Sequence, residues 1–287
     1  MKAMVFPGQG SQFTGMGEEL FDEFDDYVRV ADDILGYSIK ELCLVDPDKV
    51  LSKTQYTQPA LYVVNALHYL KRTQTLNEKI DFFAGHSLGE FTALFAAGAF
   101  SFEQGLRLVK KRGELMSTAN NGAMAAIIGV DATRVNDILK APELSSIDVA
   151  NYNSPTQTVV SGSMDDIEIA QSIFEEQGAI FVKLPVSAAF HSRYMKPIED
   201  AFSQYLAHFT FGKLTVPVIS NATAKPYQDD SIAENLTKQL SSSVQWVDSI
   251  RFINANGQCR FEEVGPGDVL SKLICAIANK MNNKEAA

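Results

Sequence analysis

The pentapeptide Gly85-His86-Ser87-Leu88-Gly89 constrains this chain more than any other stretch. It matches G-x-S-x-G and lies between an apolar run, Ile80–Ala84, that reads as a buried strand and a segment, Gly89–Ala97, that reads as a helix. A serine held on so sharp a strand-to-helix turn needs glycines beside it, because the chain doubles back and its elements pack close. At the start of a helix, free N–H groups and the helix dipole favour negative charge developing nearby. The N–H of Leu88 is the natural donor to such a charge. A Gly-rich turn carrying a structural serine is the plainer alternative.

The surrounding pattern repeats this strand-then-helix logic. Ala3–Phe6 reads as a short strand that stops at Pro7-Gly8-Gln9-Gly10. Gly17–Val30, Leu61–Arg72 and Phe102–Met116 show helical spacing of apolar residues. Such alternation predicts an α/β fold with a parallel sheet covered on both faces. Between Gly122 and Val186 the order changes. Met124–Val130, Ile147–Asn153, Gln157–Ser161 and Ile180–Pro185 read as strands, with helices at Ala132–Lys140 and Met164–Gln177. That β-α-β-β-α-β order is ferredoxin-like. The chain is therefore expected to divide into a large α/β domain, residues 1–122 and 187–287, and a small inserted ferredoxin-like domain, residues 123–186. In the closing part of the large domain, Pro197–His208, Ser231–Leu240 and Val269–Asn279 read as helices, and Val216–Ser220 and Arg260–Val264 as strands.

Composition narrows the function classes. The 287 residues carry 25 Lys+Arg against 35 Asp+Glu, a net charge of −10, with no basic block, so nucleic acid is not expected as the partner. No apolar run approaches a membrane span, and the opening residues lack the long apolar core of a signal peptide. Cys43, Cys259 and Cys275 are few, odd in number and widely spaced, which fits free thiols in a reducing cytoplasm and no metal site.

A serine nucleophile needs a base, and the chain offers His68, His86, His191 and His208. His86 adjoins the serine too closely to reach its hydroxyl, His68 lies in an amphipathic helix, and His208 ends one. His191 follows the last strand of the small domain, where the chain re-enters the large one, and clefts between domains are where sites form. It is the expected base, with a structural histidine as the alternative. No acid stands out by pattern as a third member. Arg112 borders the apolar stripe of Phe102–Met116. An inward-facing arginine needs an anion, either a structural partner or a substrate carboxylate gripped by its planar fork.

Taken together these motifs resemble the malonyl-CoA:acyl carrier protein transacylases and the related acyltransferases of polyketide synthases. The resemblance runs from Phe6-Pro7-Gly8-Gln9-Gly10-Ser11-Gln12 to Glu263-Val264-Gly265-Pro266-Gly267. Thr57-Gln58-Pro59-Ala60-Leu61, Gly85-His86-Ser87-Leu88-Gly89-Glu90, Arg112-Gly113, Asn153-Ser154-Pro155 and Val244-Gln245-Trp246 lie between, in the family's order. It implies an α/β-hydrolase-like large domain with the ferredoxin-like insertion. Ser87 would be the nucleophile, His191 its base, and the N–H groups of Gln9 and Leu88 the oxyanion hole. Arg112 would hold the malonyl carboxylate, and the main-chain carbonyl of Gln239 would orient the histidine. Gln58, His86, Met116, Asn153 and Phe190 are similar to pocket-lining positions.

Malonyl-CoA and an acyl carrier protein are the implied partners, with no metal or cofactor and no need of an oligomer. Ala188-Ala189-Phe190-His191 has the Phe before His that is common in malonyl-selective polyketide enzymes, but departs from their usual His at position 188. Leu35–Ile39 and Thr57–Leu67 look most like discrete acyltransferases that serve polyketide synthases lacking their own. The equivalent fatty-acid enzyme, a thioester hydrolase clearing carrier proteins, and a non-catalytic docking module are the alternatives. Lys183, Arg193 and Lys196 are candidates for a local basic patch that docks the carrier.

Overall fold

The computed structural model describes residues 1–285, with side chains for residues 1–280. The described residues form strands β1 (Lys2–Phe6), β2 (Phe82–Gly85), β3 (Gly122–Ile128), β4 (Asp148–Ser154), β5 (Gln157–Ser163), β6 (Ile180–Lys183), β7 (Val218–Ile219) and β8 (Arg260–Glu263). One sheet has the order β7-β2-β1-β8 and is parallel throughout. Alternation along β1 sends Met4 and Phe6 to one core and Ala3 and Val5 to another. The sheet is thus buried on both faces, as parallel sheets must be. The second sheet has the order β4-β5-β3-β6, is antiparallel throughout, and is covered on one face by helices Ala132–Ile138 and Met164–Glu176. Its other face, with Met124, Ala126 and Val159, joins the main core. That order is the ferredoxin-like one, and it spans the stretch where the sequence pattern changes.

Adjacency of β1 and β2 positions the site. Because they run parallel, the loops leaving their carboxyl ends, Pro7–Gly10 and His86–Leu88, emerge side by side. Ligands bind at such strand ends in open α/β sheets.

Several elements differ from the sequence pattern. The expected helix Gly17–Val30 is two helices, Glu18–Phe21 and Asp25–Leu35. Acidic residues crowd the break, and Asp25 and Asp26 open the second helix, where its dipole favours them. The helix expected from Leu61 begins at Thr54 and runs through Pro59. Thr57 to Leu67 are all buried in it, so tertiary packing outweighs the proline's missing donor. Two helices, Ile39–Leu44 and Trp246–Ala255, are additional to the pattern. The strand expected at Val216–Ser220 shrinks to Val218–Ile219.

Candidate active site

Ser87 stands at the tip of the turn from β2 into helix Gly89–Ala96. The two glycines of the motif are there for space. A Cβ on Gly85 would fall 1.9 Å from the main-chain carbon of Gly89, and one on Gly89 would fall 1.9 Å from the carbonyl oxygen of Phe6. Both obstacles are backbone, which cannot rotate away. Gly89→Ala is therefore expected to cost more than about 3 kcal/mol. A urea midpoint close to the parent's would show that the turn can relax. Ser87 itself has φ 50° and His191 has φ 57°, both left-handed. Such backbone costs a residue with a side chain about 1 kcal/mol or more and persists where its surroundings enforce it.

The enforcing contacts are visible at Ser87. Its N–H donates to Asn221 Oδ1 at 2.6 Å, while Asn221 Nδ2 donates to the carbonyl of Gly85 at 2.6 Å. One buried amide thus staples both sides of the turn. Gln239 Nε2 donates to the carbonyl of Ser87 at 2.9 Å.

The serine hydroxyl lies 2.7 Å from His191 Nε2, and His191 Nδ1 lies 2.8 Å from the main-chain carbonyl of Gln239. These contacts fix the proton positions. A carbonyl only accepts, so Nδ1 carries the ring proton and Nε2 presents its lone pair. Arg112 Nη2 also reaches Ser87 Oγ, at 3.1 Å, and a guanidinium only donates. The hydroxyl accepts from arginine and directs its own proton to the histidine, the arrangement a general base requires. His191 is 5% exposed. Burial first, and then the neighbouring Arg112 charge, push its pKa down from 6.5 to about 3, so the ring is neutral at working pH.

Arg112 is 1% exposed, further in than the edge of an apolar stripe. Its Nη1 donates to Gln58 Oε1 at 2.6 Å and its Nη2 to Gln239 Oε1 at 2.9 Å. The guanidinium carbon lies 5.5 Å over the ring of Phe91. Among the described residues it has no carboxylate within 4.0 Å; its direct partners are amides, a hydroxyl and a ring. Burial pulls its pKa down to about 10, and Glu90 acts in the opposite direction. It remains a cation at neutral pH, without a contact anion beside it.

The other sequence-identified positions gather around this set. Gln58 Nε2 contacts Met116 Sδ at 3.2 Å. His86 Nε2 lies 2.8 Å from Asn153 Oδ1, with its ring edge-on to Trp246. This ties β4 of the antiparallel sheet to the serine turn. Met116 and Phe190 line a cavity of about 540 Å3. His191 lines another of about 650 Å3, walled by Tyr152, Arg193 and Ser241–Ser243. The N–H groups of Gln9 and Leu88 donate to no other backbone carbonyl or side chain among the described residues. They come from neighbouring loops: a Cβ on Gly8 would fall 3.6 Å from Leu88 N. Asn221, Tyr227 and Glu90 are part of the site and were not identified from the sequence. Glu90 lies inside the recognised hexapeptide, but a lone carboxylate after a turn carries no pattern of its own.

The three basic residues considered for docking are each engaged by a carboxylate. Lys183 pairs with Glu168 at 3.2 Å, Arg193 with Asp148 and Lys196 with Glu199 at 2.6 Å. Only the Lys183–Glu168 pair is exposed on both sides, and such pairs contribute little. His68 sits apart, 3.9 Å from Glu19. Cys43, Cys259 and Cys275 are free thiols. Among the described residues no helix is long and apolar enough to cross a membrane, and no group of three or more His, Cys, Asp or Glu could hold a metal ion.

The family model for the acyl transferase domain matches residues 3–285. The chain belongs to this acyl transferase family. It is 54% identical over 282 residues to the polyketide biosynthesis malonyl CoA-acyl carrier protein transacylase BaeC of Bacillus velezensis, covering 98% of each chain. The crystal structure of the malonyl CoA-acyl carrier protein transacylase of Burkholderia pseudomallei superposes with a TM-score of 0.95 at 45% identity, again covering 98% of each. A malonyl-transacylase solved in complex with its type II PKS acyl-carrier protein superposes at 0.92 with 36% identity, covering 96% of this chain and 93% of that one. An acyltransferase needs a nucleophile, a base and a means of gripping the acyl group, and the Ser87–His191–Arg112 cluster has the chemistry of all three. Arg112 and His191 are buried and Ser87 is half-buried where the three meet.

Proposed function

We propose that the protein transfers a malonyl group from malonyl-CoA to the phosphopantetheine thiol of an acyl carrier protein, and that it does so for polyketide synthesis. The observation that carries the acyl specificity is Arg112: a buried guanidinium, held by neutral groups, one donor of which points at the nucleophile. A three-carbon acyl group esterified to Ser87 brings its free carboxylate back within reach of that fork. The names of the relatives support the same substrate and pathway.

The steps follow from the hydrogen bonds. His191 Nε2 takes the Ser87 proton as Oγ attacks the thioester carbonyl. Negative charge moves to the carbonyl oxygen, where the N–H groups of Gln9 and Leu88 receive it. Each such donor lowers the barrier by about 3 kcal/mol. The tetrahedral species collapses, the CoA sulfur leaves with the proton from His191, and malonyl-serine remains. The carrier thiol then attacks by the reverse path, giving ping-pong kinetics. During both steps the Gln239 carbonyl keeps the Nδ1 proton in place as the ring becomes charged. These steps use only this chain's groups and the two thiol partners. We further assign residues 123–186 as the insertion that closes the site through Asn153, and place the protein in the cytoplasm as a monomer.

Replacing Arg112 by alanine separates this reading from a hydrolase of neutral acyl chains. Malonyl loading is expected to fall by about 10²-fold or more, because a malonyl carboxylate would then be buried without a partner. Acetyl loading is expected to stay level or rise. Intact-mass measurement of the acyl-enzyme with each CoA thioester reads both, and equal losses would make Arg112 structural. An acyl-CoA panel against holo carrier protein, scoring transfer and hydrolysis separately, tests the acceptor.

A further inference from the structure

Glu90 is fully buried, yet it makes no ion pair among the described residues. Three donors point at its carboxyl. Tyr227 O–H and the main-chain N–H of Asn221 reach Oε1 at 2.5 and 3.1 Å, and Gln239 Nε2 reaches Oε2. The two amide N–H groups can only donate, so each of these contacts favours the ionised form. Burial raises the carboxyl, these three donors and the Arg112 charge act to lower it, and burial outweighs them, leaving it pushed up to about 7. The reciprocal effect appears at Arg112, where Glu90 opposes the loss of the proton.

Between the two charges stands one side chain. The Gln239 amide gives its nitrogen to Glu90 and to the Ser87 carbonyl, and its oxygen to Arg112 Nη2. The amide therefore has one orientation that satisfies every neighbour. A guanidinium buried with no anion at all would be costly, whereas one in direct contact with a carboxylate would be neutralised and closed to a second. An amide between them avoids both outcomes.

We propose that Glu90 is the remote counter-charge of the pocket, a positioning residue that acts through the side-chain amide of Gln239 to hold Arg112 in place while leaving the guanidinium open to an anionic acyl group. The proposal rests on the malonyl reading above. In Glu90→Gln, an amide N–H2 faces a donor on one side whichever way it turns. Facing Gln239, it drives that amide to rotate and present its own N–H2 to Arg112. The Asn221 arm acts on the serine turn, and so affects all acyl groups alike.

The test is the ratio of malonyl to acetyl loading, taken from acyl-enzyme formation rates by intact mass, since effects on the turn cancel in it. Glu90→Gln is expected to lower the ratio about tenfold or more while thermal melting shows a folded protein. Gln239→Leu, which keeps the main-chain carbonyl for His191, is expected to lower it similarly. The double variant is expected to fall no further than Gln239→Leu alone, since both changes cut one connection. An unchanged ratio in Glu90→Gln, or losses that multiply in the double variant, would overturn the proposal. Should Glu90→Gln not fold, Tyr227→Phe removes one donor from the same carboxyl at nearly constant volume. It must then lower the ratio in the parent and not in Gln239→Leu, and any other result rejects the proposal. A parent enzyme with no malonyl preference would instead reject the malonyl reading itself.

Discussion

Ser87→Ala should leave no covalent acyl-enzyme after incubation with malonyl-CoA, and transfer to a carrier protein should fall on the order of 10⁴-fold or more. The size of the effect follows from the local geometry. Oγ is the one atom that both contacts the base, at 2.7 Å, and receives a donor from Arg112, at 3.1 Å. The methyl group left by the substitution fits the same backbone, because the left-handed φ of 50° is strained equally for serine and alanine. The fold should therefore survive, as should substrate binding through Arg112. A folded variant that still gains the mass of a malonyl group would place the nucleophile elsewhere.

His191→Ala is expected to lower loading by about 10³- to 10⁴-fold, since both the deprotonation of Ser87 and the protonation of the leaving thiol pass through Nε2. Loading within tenfold of the parent would remove His191 from the base role. Its titration gives a second, independent check. Burial disfavours the charged ring, and the nearby Arg112 cation disfavours it further, so both push the pKa below 6.5. Followed by NMR, the ring is expected to stay neutral from pH 8 down to pH 5, and Arg112→Ala is expected to move its midpoint upward. The sign for stability follows. Below about pH 6.5 the unfolded chain binds a proton that the folded site refuses, so this residue's contribution to stability decreases as the pH falls. A ring that titrates near 6.5 in the folded enzyme would show that neither effect operates.

Much of this site was legible before any coordinates, for identifiable reasons. The turn motif carries its own steric logic: Gly85 and Gly89 are the positions where a Cβ meets backbone at 1.9 Å. His191 could be reached by elimination among four histidines and by its place where the chain re-enters the large domain. Arg112 stood out because an arginine beside an apolar stripe demands a partner. Gln58 was harder to place from pattern alone. The apolar spacing reads as a helix only from Leu61, yet the helix begins at Thr54, runs through Pro59 and presents Gln58 to the guanidinium. The Gln239 carbonyl came from family resemblance, not from any local signal, because every residue has a carbonyl. Asn221, Tyr227 and Glu90 were missed for a related reason: each is a common polar residue whose role is set by what faces it.

The sequence by itself determined the alternation that makes a parallel sheet, the β-α-β-β-α-β insertion, and the steric requirement for glycines on either side of the serine turn. These are local matters of periodicity and backbone space, readable within a few residues. Only the tertiary structure decided which donor meets which acceptor. It set the ring proton of His191 on Nδ1, the serine proton toward Nε2, and the Gln239 amide between Arg112 and Glu90. The physical reason is that a buried charge or amide takes its state from the groups packed around it, and those come from chain positions as distant as Glu90 and Gln239.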